Sequence, residues 1–291
     1  MHKNYIKPIL IAEIGCNHKG SLQIAKEMIR VAADCGADYA KFQKRNNKFL
    51  LGDNYNNPHP NPENSYGNTY GEHRENLEFT IKEHIQLQKY CSKYKIKYAV
   101  SVWEEKSAKD IINSKINLDY IKVPSACNLD FSLLKILALK FKKKIHISLG
   151  MTTQKEISKI FNFFKKFRRE KSIVFYACTS DYPSKHSDLC LLEIPKLKKK
   201  YANKINNVAF SGHHSGISVD NVAYTLGAHI IERHFTLDRT WKGTDHAASL
   251  EPNGLKKLKR DLMNSYFSLK EKPVSKILKN EMHQRNKLKR L

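Results

Sequence analysis

Short apolar runs alternate with longer amphipathic segments along most of the chain. The short runs are rich in β-branched and aromatic residues and predict eight strands, at residues 9–14, 38–43, 97–103, 119–125, 144–150, 172–179, 207–212 and 229–235. The longer segments repeat their apolar positions with helical spacing and predict helices at residues 21–37, 81–94, 105–114, 131–141, 154–167, 189–204, 219–228 and 252–270. The first helix opens with a Ser21 cap and closes at Gly36.

This alternation predicts the fold class. Eight strand-then-helix units in about 270 residues predict an α/β protein of the (β/α)8 TIM-barrel type, with an open doubly wound sheet as the alternative. We assign residues 1–270 to this barrel and residues 271–291 to a basic tail. The only long irregular insertion, residues 44–76, follows the second strand and is rich in Asn, Pro and Gly. A loop there would lie on the face where barrel enzymes carry their active sites.

Polar residues occur in phase at the C-terminal ends of seven of the eight predicted strands. Because successive strand residues point to opposite faces, these side chains should meet at the barrel mouth. In chain order they are Glu13, Lys41, Gln43, Lys122, Ser125, Ser148, Ser180, Tyr182, Ser211, His213, Glu232 and His234. Unpaired buried polar groups cost about 1–3 kcal/mol each, so a purely structural barrel would gain nothing from this arrangement.

Two lysines and three serines of this set favour an anion. Lys41 and Lys122, with the hydroxyls of Ser125, Ser148 and Ser211, would form a cationic pocket suited to a phosphate or a carboxylate. A single lysine near a strand end is more often a surface charge. Two lysines from separate strands favour a binding site.

Histidines and glutamates from adjacent strand ends suggest a second function. His213 and His234 are candidate ligands of a divalent metal, with the remaining positions left for water and substrate. A lone histidine at a strand end is more often an ordinary hydrogen-bonded residue, but Glu232 nearby favours the metal interpretation. Glu232 and Glu13 are candidates to orient a substrate hydroxyl or to move a proton. His214 must point elsewhere, and we do not count it as a ligand.

Composition excludes several classes of protein. The 291 residues are 41% hydrophobic, enough for one large core or two small ones. The longest apolar runs, such as "PILIAEIG", are far shorter than the ~20 residues of a membrane-spanning helix, and the N-terminus lacks a cleavage site. Six scattered cysteines without a CxxC pair predict free thiols. We therefore expect a soluble cytoplasmic protein without a membrane partner.

The formal net charge of +24 raises the question of a nucleic-acid partner. The lysines are spread through helical segments, without interleaved aromatic platforms or a recognisable nucleic-acid module. We therefore interpret the charge as a solvated basic surface and expect no nucleic-acid partner.

Four sequence blocks are distinctive, namely "IAEIGCNHKGSLQIAKEMIRVAADCGADYAKFQ", "YIKVPSACN", "ISLGM" and "FSGHHSGISVDNVAYTLGAHIIERHFTLDRTWKGTDHAASLEP". Over about residues 8–270 they resemble the catalytic domain of the N-acetylneuraminate (sialic acid) synthase family. That family includes legionaminate and pseudaminate synthases. The resemblance implies a (β/α)8 barrel that condenses phosphoenolpyruvate with an N-acetylated amino sugar, N-acetylmannosamine by default, and that requires a divalent metal, typically Mn²⁺ or Mg²⁺.

The resemblance also implies a role for each site residue. Phosphoenolpyruvate would be held by Lys41, Lys122, Ser125, Ser148 and Ser211, and by Ser180, which stands where many members have Asn. His213 and His234 fall on the metal positions. The sugar or its water would be contacted by Glu13, Gln43, Tyr182, Glu232 and Asp245, of which Glu13, Gln43 and Glu232 are the catalytic candidates. In the implied reaction the metal polarises the sugar aldehyde, C3 of phosphoenolpyruvate attacks it, and water adds at C2 before phosphate leaves.

One feature departs from the family. Its members usually continue through a linker into a small antifreeze-like domain that covers the partner's active site in a homodimer. Residues 272–291 resemble that linker, and no such domain follows them in this sequence. The expectation is that a separate chain supplies the lid, that the sugar differs, or that the protein is weakly active or inactive. A homodimer is expected from the family alone.

Two alternatives remain open. A related barrel could condense phosphoenolpyruvate with a phosphorylated sugar, which predicts an additional Arg/Lys cluster at the mouth that the strand pattern does not identify. The second alternative is a basic binding protein or an inactive scaffold. It predicts a nucleic-acid affinity that falls steeply as the salt concentration rises, or an absence of phosphate release from phosphoenolpyruvate.

Overall fold

Eight parallel strands form a closed barrel in chain order within residues 5–290, the part of the chain that this computed structural model describes. The strands are β1 Ile9–Gly15, β2 Tyr39–Lys44, β3 Lys97–Val102, β4 Tyr120–Val123, β5 Lys144–Ser148, β6 Ile173–Cys178, β7 Asn207–Gly212 and β8 Ile230–His234. Pairing of β8 with β1 closes the cylinder. The predicted (β/α)8 barrel is confirmed, and the open doubly wound sheet is wrong.

The helices follow the strands as the alternation predicts. They are α1 Leu22–Asp34, α2 Asn47–Leu51, α3 Tyr70–Asn76, α4 Ile81–Lys93, α5 Glu105–Asn113, α6 Phe131–Lys140, α7 Gln154–Lys166, α8 Glu193–Tyr201, α9 Ser218–Thr225, α10 Pro252–Ser268 and α11 Met282–Leu288. Ser21 caps α1 by accepting a hydrogen bond from the Ile24 amide, and Thr80 and Thr153 form capping boxes at α4 and α7. These side chains satisfy amides that a helix start leaves unpaired.

Two predicted boundaries and one predicted irregular segment are wrong for local reasons. Helix α8 begins at Glu193, not near residue 189, because Cys190 has φ +48° and the preceding residues form turns. Strand β4 ends at Val123, since Pro124 has no amide to extend the ladder, and Ser125 lies in the 3-10 turn that follows. The insertion at residues 44–76 is not irregular throughout: it contains α2 and α3, capped by Asn46 and Thr69.

Alternation along the strands separates the hydrophobic core from the barrel interior. In β1, Leu10, Ala12 and Ile14 are fully buried against the helices. Ile11 points into the barrel with Tyr and Ala side chains of other strands, and Glu13 lies two residues further along the same face. Burying an aliphatic side chain of this size stabilises the fold by about 1.5–3 kcal/mol. The apolar interior layer therefore forms a floor, and the polar strand ends lie above it.

Two long loops meet at the barrel mouth. The β2–α4 segment, which carries α2 and α3, contacts the loop after β8. The Tyr66 hydroxyl donates to the Lys242 carbonyl at 2.5 Å, and the Gly243 amide donates to Asn64 Oδ1 at 3.1 Å. The loop after β2 is therefore fixed over one side of the mouth.

The tail after α10 is almost wholly exposed, including the short helix α11. All six cysteines are free thiols, as expected. Among the described helices, none combines the length and apolar character that a bilayer crossing requires.

Candidate active site

A cavity of about 310 Å³ opens at the C-terminal ends of the strands. Its wall contains every residue that the sequence singled out for a site, namely Glu13, Lys41, Gln43, Lys122, Ser125, Ser148, Ser180, Tyr182, Ser211, His213, Glu232, His234 and Asp245. Several of them lie just beyond a strand end, in the first residues of a βα loop. Residues that are far apart in the sequence therefore share one enclosed space.

Two lysines and two glutamates form the centre of the cavity. Lys122 Nζ lies 2.5 Å from Glu232 Oε1, and Lys41 Nζ lies 3.6 Å from the same oxygen. Lys41 also forms an ion pair with Glu13. All four side chains are almost fully buried. Charges so far from water are tolerated only when each is paired, and here each lysine has a carboxylate partner.

The two carboxylates have pKa values shifted in opposite directions. Burial raises the pKa of Glu232, but the charges of Lys122 and Lys41 outweigh burial and hold that pKa at about 2. Burial raises the pKa of Glu13, and the neighbouring charge of Glu232 raises it further, although Lys41 opposes both. Glu232 is therefore ionised at neutral pH, and Glu13 is the carboxylate better able to hold a proton. Gln43 Nε2 donates to Glu13 Oε1 at 2.8 Å and fixes its orientation.

The two predicted metal ligands lie side by side, with ring centroids 5.3 Å apart. His213 Nδ1 lies 2.7 Å from the Thr179 carbonyl, which can only accept, so Nδ1 carries the proton and Nε2 is left for a ligand. His234 Nδ1 is buried without a hydrogen-bond partner, 3.7 Å from Asp245 Oδ2. Burial lowers the pKa of His234 to about 3, so its ring is neutral, as a metal ligand must be.

These features fit a divalent ion held by two imidazoles, with water or substrate in the remaining positions. They do not form a complete protein cage. Within residues 5–290, no group of three or more His, Cys, Asp and Glu side chains is placed to hold a metal. The fit therefore depends on the unpartnered nitrogen of His234 and on Nε2 of His213. Burial lowers the pKa of His213, but Cys178 and the Thr179 carbonyl outweigh burial and raise it, so a metal would have to displace a proton from that ring.

Serine hydroxyls and one glycine form a cradle on the β4 to β6 side of the mouth. The Gly150 amide donates to Ser125 Oγ at 3.1 Å, and Ser180 Oγ is buried without a partner. A Cβ at Gly150 would collide with Ser180 Oγ and would lie 2.7 Å from Ser125 Oγ. Glycine is needed here for space. Hydroxyls with unused donors around such a space are suited to anionic oxygens.

Two residues on strands also line the cavity, although the sequence analysis did not select them. Ser101 on β3 accepts a hydrogen bond from Lys41 Nζ at 2.9 Å, so the one strand without a predicted polar residue supplies one as well. Cys178 ends β6 with Sγ 4.0 Å from His213 Nδ1. Burial raises the pKa of Cys178, but His213 and Lys122 lower it to about 6. The period-two rule could have found both residues, since Ser101 lies within the predicted third strand and Cys178 is in phase with Ser180 and Tyr182.

Two arginines from the loop after β2 were also missed. The Arg45 guanidinium carbon lies 4.0 Å from the ring centroid of Trp103, and Arg45 also donates to Gln43 Oε1. Arg74, on α3, donates to the Tyr70 hydroxyl at 2.7 Å. Both arginines line the cavity. Arg45 continues the phase of Lys41 and Gln43 just past β2, so the period-two rule could have found it, whereas Arg74 lies on α3, outside the strand periodicity.

A buried charge network lies behind the two histidines. Arg233 Nη1 lies 2.5 Å from Asp220 Oδ2, and Arg233 Nη2 donates to the His214 carbonyl at 2.6 Å. His214 Nε2 lies 3.3 Å from the same Asp220 oxygen. All three side chains are fully buried. Because Arg233 precedes His234 and His214 follows His213, this network ties the two histidine-bearing segments together.

Residues 28–273 match the NeuB family. The chain belongs to the NeuB family. Every residue of the predicted site except Glu13 lies within the NeuB match.

Two relatives illustrate the similarity in sequence. Human N-acetylneuraminate-9-phosphate synthase is 37% identical over 253 residues, which cover 87% of this chain and 68% of the human protein. The N,N'-diacetyllegionaminic acid synthase of Campylobacter jejuni is 34% identical over 254 residues, which cover 87% of this chain and 74% of that protein.

A solved structure shows the similarity in fold. It is the N-acetylneuraminic acid (sialic acid) synthetase of Leptospira borgpetersenii in complex with citrate. The two structures superpose with a TM-score of 0.80 at 28% sequence identity, over 97% of this chain and 93% of that one. Membership of NeuB therefore rests on both sequence and fold.

Proposed function

We propose that this NeuB-family chain condenses phosphoenolpyruvate with an N-acetylated amino sugar to give a nonulosonic acid and inorganic phosphate. The observation that carries the proposal is that one cavity contains a lysine pair, an unfilled hydroxyl cradle, two carboxylates with opposite pKa shifts and two adjacent histidines. The names of the relatives agree with it, since the human protein is named for N-acetylneuraminate 9-phosphate and the Campylobacter jejuni protein for diacetyllegionaminic acid.

Phosphoenolpyruvate would occupy the cradle side of the cavity. Its phosphate would accept hydrogen bonds from the hydroxyls of Ser125, Ser180 and Ser211 and lie near the ammonium group of Lys122. Its carboxylate would face Lys41, which is already paired with Glu13. An ammonium group has three donors, so both lysines can keep their carboxylate partners while they bind the substrate.

The reaction requires proton transfers, and the two glutamates of the cavity differ in their suitability for them. A bond forms between C3 of phosphoenolpyruvate and the aldehyde carbon of the sugar, and the aldehyde oxygen takes up one proton. Water adds at C2 and loses one proton. The bond between C2 and the phosphate oxygen then breaks, its electron pair leaves with phosphate, and the new C2 hydroxyl gives its proton to that phosphate as the C2 ketone forms. Glu13, whose pKa is raised, is the proposed proton carrier. Glu232 remains ionised and holds both lysines in place.

His213 and His234 would hold a divalent ion, Mn²⁺ or Mg²⁺, which when bound would polarise the carbonyl of the sugar. Asp245, beside His234, and Gln43, bonded to Glu13, are the proposed contacts of the sugar. Tyr182 would support the site by packing its ring 4.1 Å from that of His213.

The proposal is tested by incubating the purified protein with phosphoenolpyruvate, a panel of N-acetylated hexosamines and a divalent metal. Phosphate release and product mass are measured with and without a chelator, with N-acetylmannosamine as the default acceptor. We expect phosphate and a nine-carbon acid in equal amounts. Lys122→Met should abolish both, whereas Lys106→Met, which removes a charge from the exposed face of α5, should abolish neither. Phosphate release without a new carbon–carbon bond would contradict the proposal.

A further inference from the structure

Three aromatic rings lie in the barrel floor on the side of the serine cradle. On β4, β5 and β6, the residue two positions before a cavity residue points to the same side of its strand. These floor residues are Tyr120, His146 and Tyr176, which precede Lys122, Ser148 and Cys178 of the cavity wall. The equivalent positions of β7 and β8 carry Ala209 and Ile230. The floor is therefore aromatic below the cradle and aliphatic below β7 and β8.

Two of these rings form a buried polar pair. The Tyr176 hydroxyl and His146 Nδ1 share a hydrogen bond of 2.8 Å, and the His146 ring stacks on that of Tyr120 with centroids 3.7 Å apart. Burial lowers the pKa of His146 well below its ordinary value, and Lys122 lowers it further, so the ring is neutral. Burying two polar groups costs desolvation that an aliphatic floor would avoid. Packing alone therefore does not explain the pair.

The ring of Tyr176 contacts the ammonium group of Lys122. Lys122 Nζ lies 4.3 Å from the centroid of that ring, and both side chains are buried. A cation at this distance is attracted by the quadrupole of the ring, and the attraction is stronger where water is excluded. The hydrogen bond to His146 fixes the orientation of the ring. Tyr176 is therefore held where its face meets the charge of Lys122.

The two lysines of the cavity differ in what they leave for an anion. Lys41 Nζ forms ion pairs with two glutamates and also donates to a serine hydroxyl. Within residues 5–290, Lys122 Nζ makes one hydrogen bond, to Glu232. An ammonium group has three donors, and an aromatic ring has no net charge, so Tyr176 stabilises the ammonium without neutralising it. Lys122 thus keeps donors for an anion in the cavity.

We propose that Tyr176 is a positioning residue for phosphoenolpyruvate, because the face of its ring, held by His146, fixes the Lys122 ammonium beside the cradle and leaves its donors to the phosphate of the substrate. This inference rests on the proposed function, since it assumes that phosphoenolpyruvate binds beside Lys122. It gives the floor of the barrel a role in substrate affinity.

The test compares Tyr176→Leu with Tyr176→Phe. Both variants lose the hydroxyl and its bond to His146, so the difference between them reports the face of the ring. We expect the Kd and the KM for phosphoenolpyruvate to be about 10- to 30-fold higher in Tyr176→Leu than in Tyr176→Phe, since a desolvated contact between a cation and a ring contributes about that factor. Tyr176→Phe should stay close to the wild type in Kd, and kcat should change little in either variant.

Two further variants separate positioning from folding. Tyr224→Leu is the matched control, because it removes an equally buried tyrosine that lies outside the cavity and donates to the Ile6 carbonyl at 3.0 Å. It should melt below the wild type and keep the wild-type Kd for phosphoenolpyruvate. If Tyr176→Leu does not fold, Tyr176→Met replaces it, since methionine fills irregular core space without a ring.

Calorimetric titration of phosphoenolpyruvate measures Kd without an acceptor. Equal Kd values in Tyr176→Leu and Tyr176→Phe would overturn the inference and leave the proposed function intact, and so would a fall in kcat with an unchanged Kd. If phosphoenolpyruvate binds but no acceptor is turned over, the proposed function fails, and the ratio of the two Kd values still decides the role of Tyr176. An absence of phosphoenolpyruvate binding in the wild type would overturn both.

Discussion

The buried pair between Arg233 and Asp220 should be among the most sensitive points of the fold. Replacing Asp220 by Asn keeps the size of the side chain and removes its charge. Arg233 then remains fully buried, 2.5 Å from an uncharged amide, and His214 loses its charged neighbour. Arg233 would keep its bond to the His214 carbonyl, so the network would be weakened without being replaced by a cavity.

The expected loss follows from this burial. Removing one partner of a fully buried ion pair costs about 3–5 kcal/mol of unfolding free energy. For a domain of this size, 1 kcal/mol corresponds to about 2–4 °C in melting temperature, so Asp220→Asn should melt roughly 6–20 °C below the wild type. The matched control is Asp110→Asn, because Asp110 pairs with Lys106 at 3.1 Å on the exposed face of α5. An exposed pair contributes about 0–1 kcal/mol, and the control should melt within about 4 °C of the wild type.

Thermal melting followed by circular dichroism at pH 7 measures both variants. A melting temperature of Asp220→Asn equal to that of Asp110→Asn would refute the reasoning, since the buried network would then contribute no more than a surface pair. The network also joins the segments of His213 and His234. Asp220→Asn should therefore also weaken metal binding at a temperature where the variant is folded.

Two further predictions concern the cavity. His234→Ala should remove the metal-dependent part of product formation, because it removes the unpartnered nitrogen beside His213; activity that is unchanged and still abolished by a chelator would place the metal elsewhere. Gly150→Ala should raise the KM for phosphoenolpyruvate about tenfold or more, since its Cβ would occupy the cradle and displace hydrogen bonds to a charged group. Gly254→Ala is its control, because a Cβ there meets nothing closer than 3.5 Å, and an unchanged KM in Gly150→Ala would refute the cradle.

Most of the fold follows from the two periodicities of the sequence. A period of two in each strand separates residues such as Leu10 and Ala12, which pack against helices, from Ile11 and Glu13, which face the barrel axis. The same phase predicted the residues of the site that follow strand ends, whereas Asp245 was predicted from the family resemblance, and all of them line one cavity. The periodicity did not predict element boundaries that depend on the backbone conformation of a single residue, such as the start of α8 after Cys190, which has a positive φ.

The part of the site that could not be predicted comes from loops. A loop residue has no fixed phase, so its direction depends on tertiary contacts that the sequence does not display. Arg74 lines the cavity because the α3 segment is tied across the mouth by Tyr66, a contact between residues 176 positions apart. Ser101 is a different case, because it obeys the strand period and was missed only because the run around it is otherwise apolar.

The two classes of cation also differ in what keeps them charged. Burial alone lowers the pKa of Lys41, and the charges of Glu13 and Glu232 raise it above its ordinary value. A buried lysine therefore needs a carboxylate on another strand end. For this reason the polar residues at the strand ends include both lysines and glutamates. Arginine stays protonated without such help, so a loop can present it alone. The lysines thus form ion pairs with buried carboxylates, whereas Arg45 and Arg74 act at longer range on the nearby carboxylate of Asp245.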